Sequence, residues 1–443
     1  MQAFRAIFRH PGTVGMTLSA FVGRFPMAML GLAITMLVVT ETGSYGRAGA
    51  VAASITLAGA VGGPVGARLA DRFGQHRVIP PLIGVHILTV AGLTIAVMAG
   101  TPMLLWLALG VLAGLSGPNL GAMVRTRWAG ITDGPDELTS AFALESTLDE
   151  VAFVLGPPLA TALAVAIAPW SAIVTGLLLA GSGALALAAQ RSTEPEPTPR
   201  TELSGPAVWR SGTLQVLTLL MVLMGAIFGA LEVSTVAFAQ ESDAVWATGW
   251  LLGVFALSSG LTGLFLGARP GGWRLSSQVL VGTVTLALAT AVVPFIGGLG
   301  WYAAGMFAAG LGVSAVMIGA MQIIERALPR TRLTEALALA ISGVLIGSAG
   351  AVALAGVLID AGGSSWGLAV GSVSALAGLV VAALARPALG RAERPVESAD
   401  LQGPQVDTRV TGSSPGPDTP TRPAARLTTV PAALPVRSDA GTT

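Results

Sequence analysis

The sequence contains no cysteine and no lysine, only three histidines and two tyrosines, and few charges of either sign. Without cysteine, disulfides, thiolate metal ligands and thiol catalysis are excluded. The histidines, His10, His76 and His86, form no pair at ligand spacing, which argues against a zinc site. No G-x-x-x-x-G-K loop is present, so ATP drive within the chain is unsupported, and no enzyme motif or cofactor is implied. Charged residues make up 11% of the 443 positions, against roughly 25% in a soluble domain. A net charge of +1 offers no basic or acidic face for nucleic acid. With arginine as the only strong base, the composition reads as the coding bias of a high-GC bacterium.

What is present is apolar length. Hydrophobic residues form 53% of the chain. A bilayer core of about 30 Å needs roughly 20 apolar residues per helix. Windows of that length predict twelve spans, at 14–38, 48–69, 78–99, 102–124, 138–167, 171–189, 212–238, 246–267, 275–296, 299–323, 334–359 and 365–385. The first apolar run is too long for a signal peptide and has no obvious cleavage site, so it stays a span. With the N-terminus in the cytoplasm, Arg5, Arg9, Arg68, Arg72, Arg77, Arg125, Arg127, Arg191, Arg200, Arg210, Arg269, Arg274, Arg326, Arg330, Arg332 and the tail arginines fall inside, and only Arg47 outside. That asymmetry follows the positive-inside rule. Tryptophans gather at both sets of span ends, as an interfacial aromatic belt does: Trp106, Trp170, Trp246, Trp250, Trp301 and Trp366 at one, Trp128, Trp209 and Trp273 at the other.

The fold class expected is therefore an all-α membrane protein with twelve transmembrane helices in two six-helix bundles, 1–189 and 213–385. A polar cytoplasmic linker at 190–212 joins them, and a disordered cytoplasmic tail occupies 386–443. The tail is rich in Pro, Thr, Ser, Gly and Asp and lacks the apolar surface to offset its ordering entropy. Leu138-Thr-Ser-Ala-Phe-Ala-Leu144 reappears as Leu333-Thr-Glu-Ala-Leu-Ala-Leu339, and Leu159-Ala160 matches Leu354-Ala355 at the same offset. Related halves of this kind place a cavity at their interface near the bilayer midplane.

Between spans two and three runs Ala67-Arg-Leu-Ala-Asp71-Arg72-Phe-Gly74-Gln75-His76-Arg77. This resembles the major facilitator superfamily signature G-x-L-A-D-R-x-G-R-R, matching at Leu69, Ala70, Asp71, Arg72 and Gly74, with Arg77 as a shifted basic residue. It departs at Ala67, Gln75 and His76. With the span count and the duplication, the resemblance covers about residues 1–385. In that family the loop is implied to lock the cytoplasmic side, which would make Asp71, Arg72, Gly74 and Arg77 a gating loop. The physics agrees: Gly74 permits a tight turn, and Asp71 can accept from a neighbouring helix N-terminus or pair with an arginine. The plain alternative is a charge cluster that only fixes topology. Gly267-Ala-Arg269-Pro-Gly-Gly-Trp-Arg274 in the second half looks like a degenerate copy without the Asp.

Charges inside spans cost about 3 kcal/mol or more each, so they normally face a cavity or a partner. Span five carries Glu145, Asp149 and Glu150; the first two lie four apart on one helix face, and Glu150 points about 100° away. The same span continues to Gly156-Pro157-Pro158, which resembles the Gly-Pro part of the fifth-span motif of the family's drug/proton antiporters and suits close helix packing. Arg24 interrupts span one. If the fold is the family's, Arg24 faces the span-five carboxylates, leaving another carboxyl to exchange protons; the alternative is a structural ion-pair network. Glu232 in the outer half of span seven is a substrate or proton site, or a carboxyl reaching interfacial water. Asn119, beside Pro118, is a candidate cavity residue. His86 reads as a packing residue. Arg125 and Arg127 are expected to answer lipid headgroups or the Asp71 cluster.

The reading that follows is a secondary transporter of the bacterial inner (cytoplasmic) membrane, both termini cytoplasmic, acting as a monomer on a small-molecule substrate, with protons and the lipid bilayer as its other partners. Proton-coupled efflux of an amphipathic or hydrophobic compound is favoured. Proton-coupled uptake of a sugar or metabolite, and a transporter-like receptor or scaffold that moves nothing, are the alternatives.

Overall fold

A computed structural model describes residues 7–196, 211–268, 273–295, 297–328 and 333–392. Among these residues all regular structure is helical: α1 Thr13–Arg24, α2 Leu30–Thr42, α3 Tyr45–Phe73, α4 Gln75–Met98, α5 Met103–Ser116, α6 Leu120–Ile131, α7 Pro135–Ala166, α8 Ser171–Ala189, α9 Gly212–Glu241, α10 Thr248–Gly267, α11 Leu275–Val292, α12 Leu299–Ala327, α13 Leu333–Gly362 and α14 Ser364–Ala392. Short 3₁₀ turns at Phe25–Ala28, Val245–Ala247 and Val293–Phe295 extend three of them. Counting α1–α2 and α5–α6 as broken single spans, twelve helices are long and apolar enough to cross a membrane.

Local chemistry explains the breaks. Pro26 lacks the N–H that would continue α1, so the chain tightens to 3₁₀ there. Gly117-Pro118 separates α5 from α6, and the Asn119 side chain accepts from Ala122 N at 3.1 Å to start the next helix. Gly74 turns the chain between α3 and α4 at φ 89°, a conformation that L side chains rarely adopt.

Several ends differ from the hydropathy windows. Span four runs on to Ile131 rather than 124, because Arg125 and Arg127 are satisfied within the protein. Span two begins at Tyr45 rather than 48, leaving Gly43-Ser44 as the whole first connection. The last helix reaches Ala392, so 386–392 belong to it rather than to a tail. Of the linker, 190–196 are folded against the first helices, and α9 begins at Gly212. Positions 197–210 and 393–443, with Arg5, Arg200, Trp209, Arg210, Arg269, Arg330, Arg332 and the tail arginines, lie outside the described residues.

One buried apolar cluster draws on positions 7–188 and another on 214–389, while a third, from Met29 to Leu177, admits Val236 of α9. Early and late helices meet chiefly through two antiparallel pairs, α3 with α13 and α7 with α10. Both pairs close at the face opposite the N-terminus. There Gly49 abuts the Val352 carbonyl, Gly356 abuts the Tyr45 carbonyl, and Gly249 abuts the Pro157 carbonyl, leaving no room for a Cβ. Small residues of this kind let helix backbones approach within a membrane. Further along α3, Gly62 and Gly66 turn instead to Leu115 and Leu82.

Candidate functional site

Arg24 ends α1 with only 5% of its surface exposed, and Glu145 on α7 is fully buried. Arg24 Nη2 donates to Glu145 Oε2, and its Nη1 lies 2.9 Å from Asp149 Oδ1. Asp149 Oδ2 accepts from Arg125 Nη2 at 2.9 Å, and Glu145 Oε1 accepts from Trp128 Nε1 at 2.7 Å. The i, i+4 spacing on α7 presents both carboxylates to one guanidinium. Arg125 and Trp128 come from α6, and Arg125 pairs with Asp149 rather than with headgroups or Asp71. The result is a charge-balanced network of two arginines and two carboxylates. Glu150, one position on, points away; it is exposed, has no hydrogen-bond or ion-pair partner among the described residues, and lies against Gly260 of α10.

Arg127 takes a different partner set from the one expected. It is completely buried and donates to Gln75 Oε1 at 2.7 Å, to the carbonyls of Gln190 and Leu187 at 2.7 and 2.9 Å, and to Thr193 Oγ1 at 2.9 Å. Next to it, Glu194 accepts from His76 N at 3.0 Å and pairs with His76 Nδ1 at 2.9 Å. Burial alone would push the Glu194 carboxyl up, but these bonds and the charges of His76 and Arg127 bring it below the ordinary carboxylate range. Two of the three departures from the family signature thus serve this contact: His76 holds Glu194 directly, and Gln75 holds Arg127, which donates to the segment. Of the signature residues, Arg72 lies over the Phe73 ring at 5.1 Å. Asp71 and the Arg77 side chain have no hydrogen-bond or ion-pair partner among the described residues, which do not include Arg330 and Arg332 before α13; the helix pair Asp71 belongs to is joined at its opposite end.

A cavity of about 100 Å³ lies among α2, α3, α4, α9 and α13, where Glu232 and His86 share a wall otherwise formed by Thr35, Thr56, Ser348 and aliphatic side chains. Glu232 reaches across to Gly31 of α2 and has no hydrogen-bond or ion-pair partner among the described residues; a Cβ on Gly31 would sit 3.2 Å from its Oε1. His86 Nδ1–H donates to the Ala113 carbonyl at 2.9 Å, which leaves Nε2 as the ring's acceptor when neutral. The pairing of Glu232 with His86 in one cavity escaped the sequence reading, since nothing in their spacing connects spans three and seven. Asn119 does not line this cavity; it is exposed and serves as the α6 cap. Gly156 packs on Ala28, whose Cβ is 2.8 Å from where a Gly156 Cβ would lie, and Pro157 is the contact for Gly249.

At the N-terminal face, His10, Asp133 and Glu137 bring potential ligand atoms within 4.8 Å of one another. Bonds inside the group account for it: His10 Nε2 lies 3.1 Å from Glu137 Oε1, and Glu137 Oε2 accepts from Asp133 N at 2.9 Å at the start of α7.

Twelve membrane-length helices among the described residues define a multi-pass membrane protein, with a largely apolar internal cavity that Glu232 and His86 line. The sequence model of the Major Facilitator Superfamily matches residues 16–275, more than half of the chain, and the chain belongs to that family of transporters. Its fold is similar to the nucleoside transporter NupG (13% identity, 86% of this chain and 99% of that one, TM-score 0.64). It is also similar to a bacterial homologue of the iron transporter ferroportin in an inward-facing state (15%, 84% and 98%, TM-score 0.62) and to the human organic anion transporter MFSD10 (14%, 84% and 100%, TM-score 0.61). No curated protein sequence matches the chain.

Proposed function

We propose that this transporter is a proton-coupled exporter of a small amphipathic or hydrophobic compound, working by alternating access in a bacterial cytoplasmic membrane with its N-terminus inside. Its two six-helix halves, about 1–189 and 213–385, rock about the cavity between them. The observation that carries the reading is Glu232: a carboxylate without a partner among the described residues, on the wall of a largely apolar cavity between early and late helices. A charge so placed is costly unless it has work to do. The Arg24–Glu145–Asp149–Arg125 network is balanced and holds α1, α6 and α7 together, so midway along the spans the carboxyls without a partner among the described residues are Glu232 and Glu150. The apolar wall suits an apolar substrate body better than a sugar. The neighbours of similar fold handle nucleosides, anions and metals, so the substrate has to be found by screening.

The test is purified protein in liposomes with an imposed pH gradient and a panel of candidate compounds. Wild type should move protons when the right compound is added, and Glu232→Gln should lose this coupling, with Glu150→Gln tested beside it. If both variants transport with unchanged pH dependence, the coupling assignment is wrong. The direction of proton flow relative to substrate separates export from symport.

A further inference from the structure

We infer that Asp360 is a gating residue of the transport cycle, a remote cap that holds α3 to α13 on the far face and must release before that face can open. The inference rests on the alternating-access reading above. Asp360 lies near the end of α13. Its Oδ1 accepts from Tyr45 N at 2.7 Å, and its Oδ2 accepts from Ser44 Oγ at 2.7 Å and Gly46 N at 2.9 Å. The two N–H donors open the first turn of α3, and Ser44 is its N-cap. A helix start leaves such N–H groups without intrahelical partners and favours a negative charge beside them.

Capping alone does not need a residue from another helix, since Tyr45 and Gly46 are partly exposed and water can meet their N–H groups. Ser44 already caps α3 locally, its hydroxyl accepting from Arg47 N at 3.2 Å. Asp360 is 316 positions away from Ser44 and on a different helix, so what it adds is a tie between helices. The surroundings extend that tie: Tyr45 Oη donates to Gln240 Oε1 of α9 at 2.6 Å, and the glycine contacts of Gly46, Gly49 and Gly356 bring the backbones together. The cluster is also solvent-accessible, with Asp360 exposed. Water can replace each bond as it breaks, so the net cost of release is small. A buried ion pair there would lock the face rather than gate it.

The helix pair has a second carboxylate in the matching place. Asp360 stands two positions before the last residue of α13, and Asp71 stands two positions before the last residue of α3. The helices are antiparallel, with Tyr45 and Gly46 against Gly356 and Gly49 against Val352. Each aspartate is therefore carried toward the end at which the partner helix begins. Among the described residues Asp360 is engaged and Asp71 has no partner. Rocking the pair closed at the N-terminal face would bring Asp71 toward the start of α13 and draw Asp360 off α3, so one cap replaces the other.

The absence of cysteine makes the test direct. A thiol reporter introduced by Thr56→Cys on the cavity wall is labelled with a membrane-impermeant maleimide added from either side of the membrane, in full-length protein. Asp360→Ala should raise far-side labelling several-fold and lower labelling from the N-terminal side. Asp360→Asn, which keeps one acceptor oxygen, should give a smaller shift in the same direction. Unchanged side preference in both variants, with melting temperatures at the parent value, overturns the inference. Because labelling needs no substrate, this failure is distinct from failure of the carrier reading, which would be a wild type that moves nothing in liposomes.

Discussion

Arg24 and Asp149 face each other at 2.9 Å inside the helix bundle, and Arg125 holds the second oxygen of the same carboxylate at the same distance. Glu145 completes the set between Arg24 and the Trp128 indole. The four charges cancel, so the network is a brace in which each member hides the cost of its neighbour. Removing one partner of a buried pair leaves an uncompensated charge and typically costs about 3–5 kcal/mol.

Arg24→Ala should therefore lower the melting temperature in detergent sharply. The double variant Arg24→Ala/Glu145→Ala should melt above that single variant, because the stranded Glu145 carboxylate is gone and Arg125 still neutralises Asp149. Tryptophan fluorescence on heating measures both. A single variant that melts with the wild type would show that the brace contributes nothing to stability.

Glycines separate packing within a group of helices from closure between groups. Gly225 abuts the Val344 carbonyl and Gly347 the Val222 carbonyl, both in the contact of α9 with α13; Gly249 abuts the Pro157 carbonyl where α10 meets α7. Overpacking costs about 1–3 kcal/mol. Gly225→Ala and Gly347→Ala should lower folded yield and melting temperature. Gly249→Ala should leave the fold intact and instead open the far face, read as increased far-side labelling of a thiol in the cavity. Equal loss of stability in all three would refute the distinction.

Much of the brace was legible because charge is costly in a membrane: an arginine in one span and carboxylates four apart in another had to answer each other. Arg125 was not, because it sits where a hydropathy window ends and reads as a surface residue. Arg127 misled for the same reason, since its donors are met by carbonyls and side-chain oxygens that no local pattern announces. The Trp128 indole was visible only as part of an interfacial belt, although its three-residue spacing from Arg125 puts both on one face of α6. The tie from Asp360 to Tyr45 spans 315 positions and leaves no periodic trace. The span count was readable, since it needs only apolar length, while the partners of each polar group depend on how the helices are arranged.

The docked segment after α8 gives a pH-dependent prediction. Glu194 is held below the ordinary carboxylate value of 4.5 by His76 and Arg127. A carboxyl whose folded value is depressed contributes stability above its unfolded value and loses that contribution as pH falls through the folded one. The contact of 190–196 with α4 and α6 should therefore be at full strength above about pH 4.5 and weaken below it. Hydrogen exchange of that segment, expressed as protection relative to intrinsic rates, should stay level from pH 7 to about 5 and fall at lower pH. Glu194→Gln should show reduced protection at neutral pH and little further fall on acidification. Gly74→Ala should loosen the same contact without a charge change, because its φ is 89° and a Cβ would stand 3.0 Å from Glu194 Oε1 and 3.2 Å from the His76 ring. Protection that ignores both pH and the Glu194 substitution would mean that Arg127, through the Gln190 and Leu187 carbonyls, holds the segment alone.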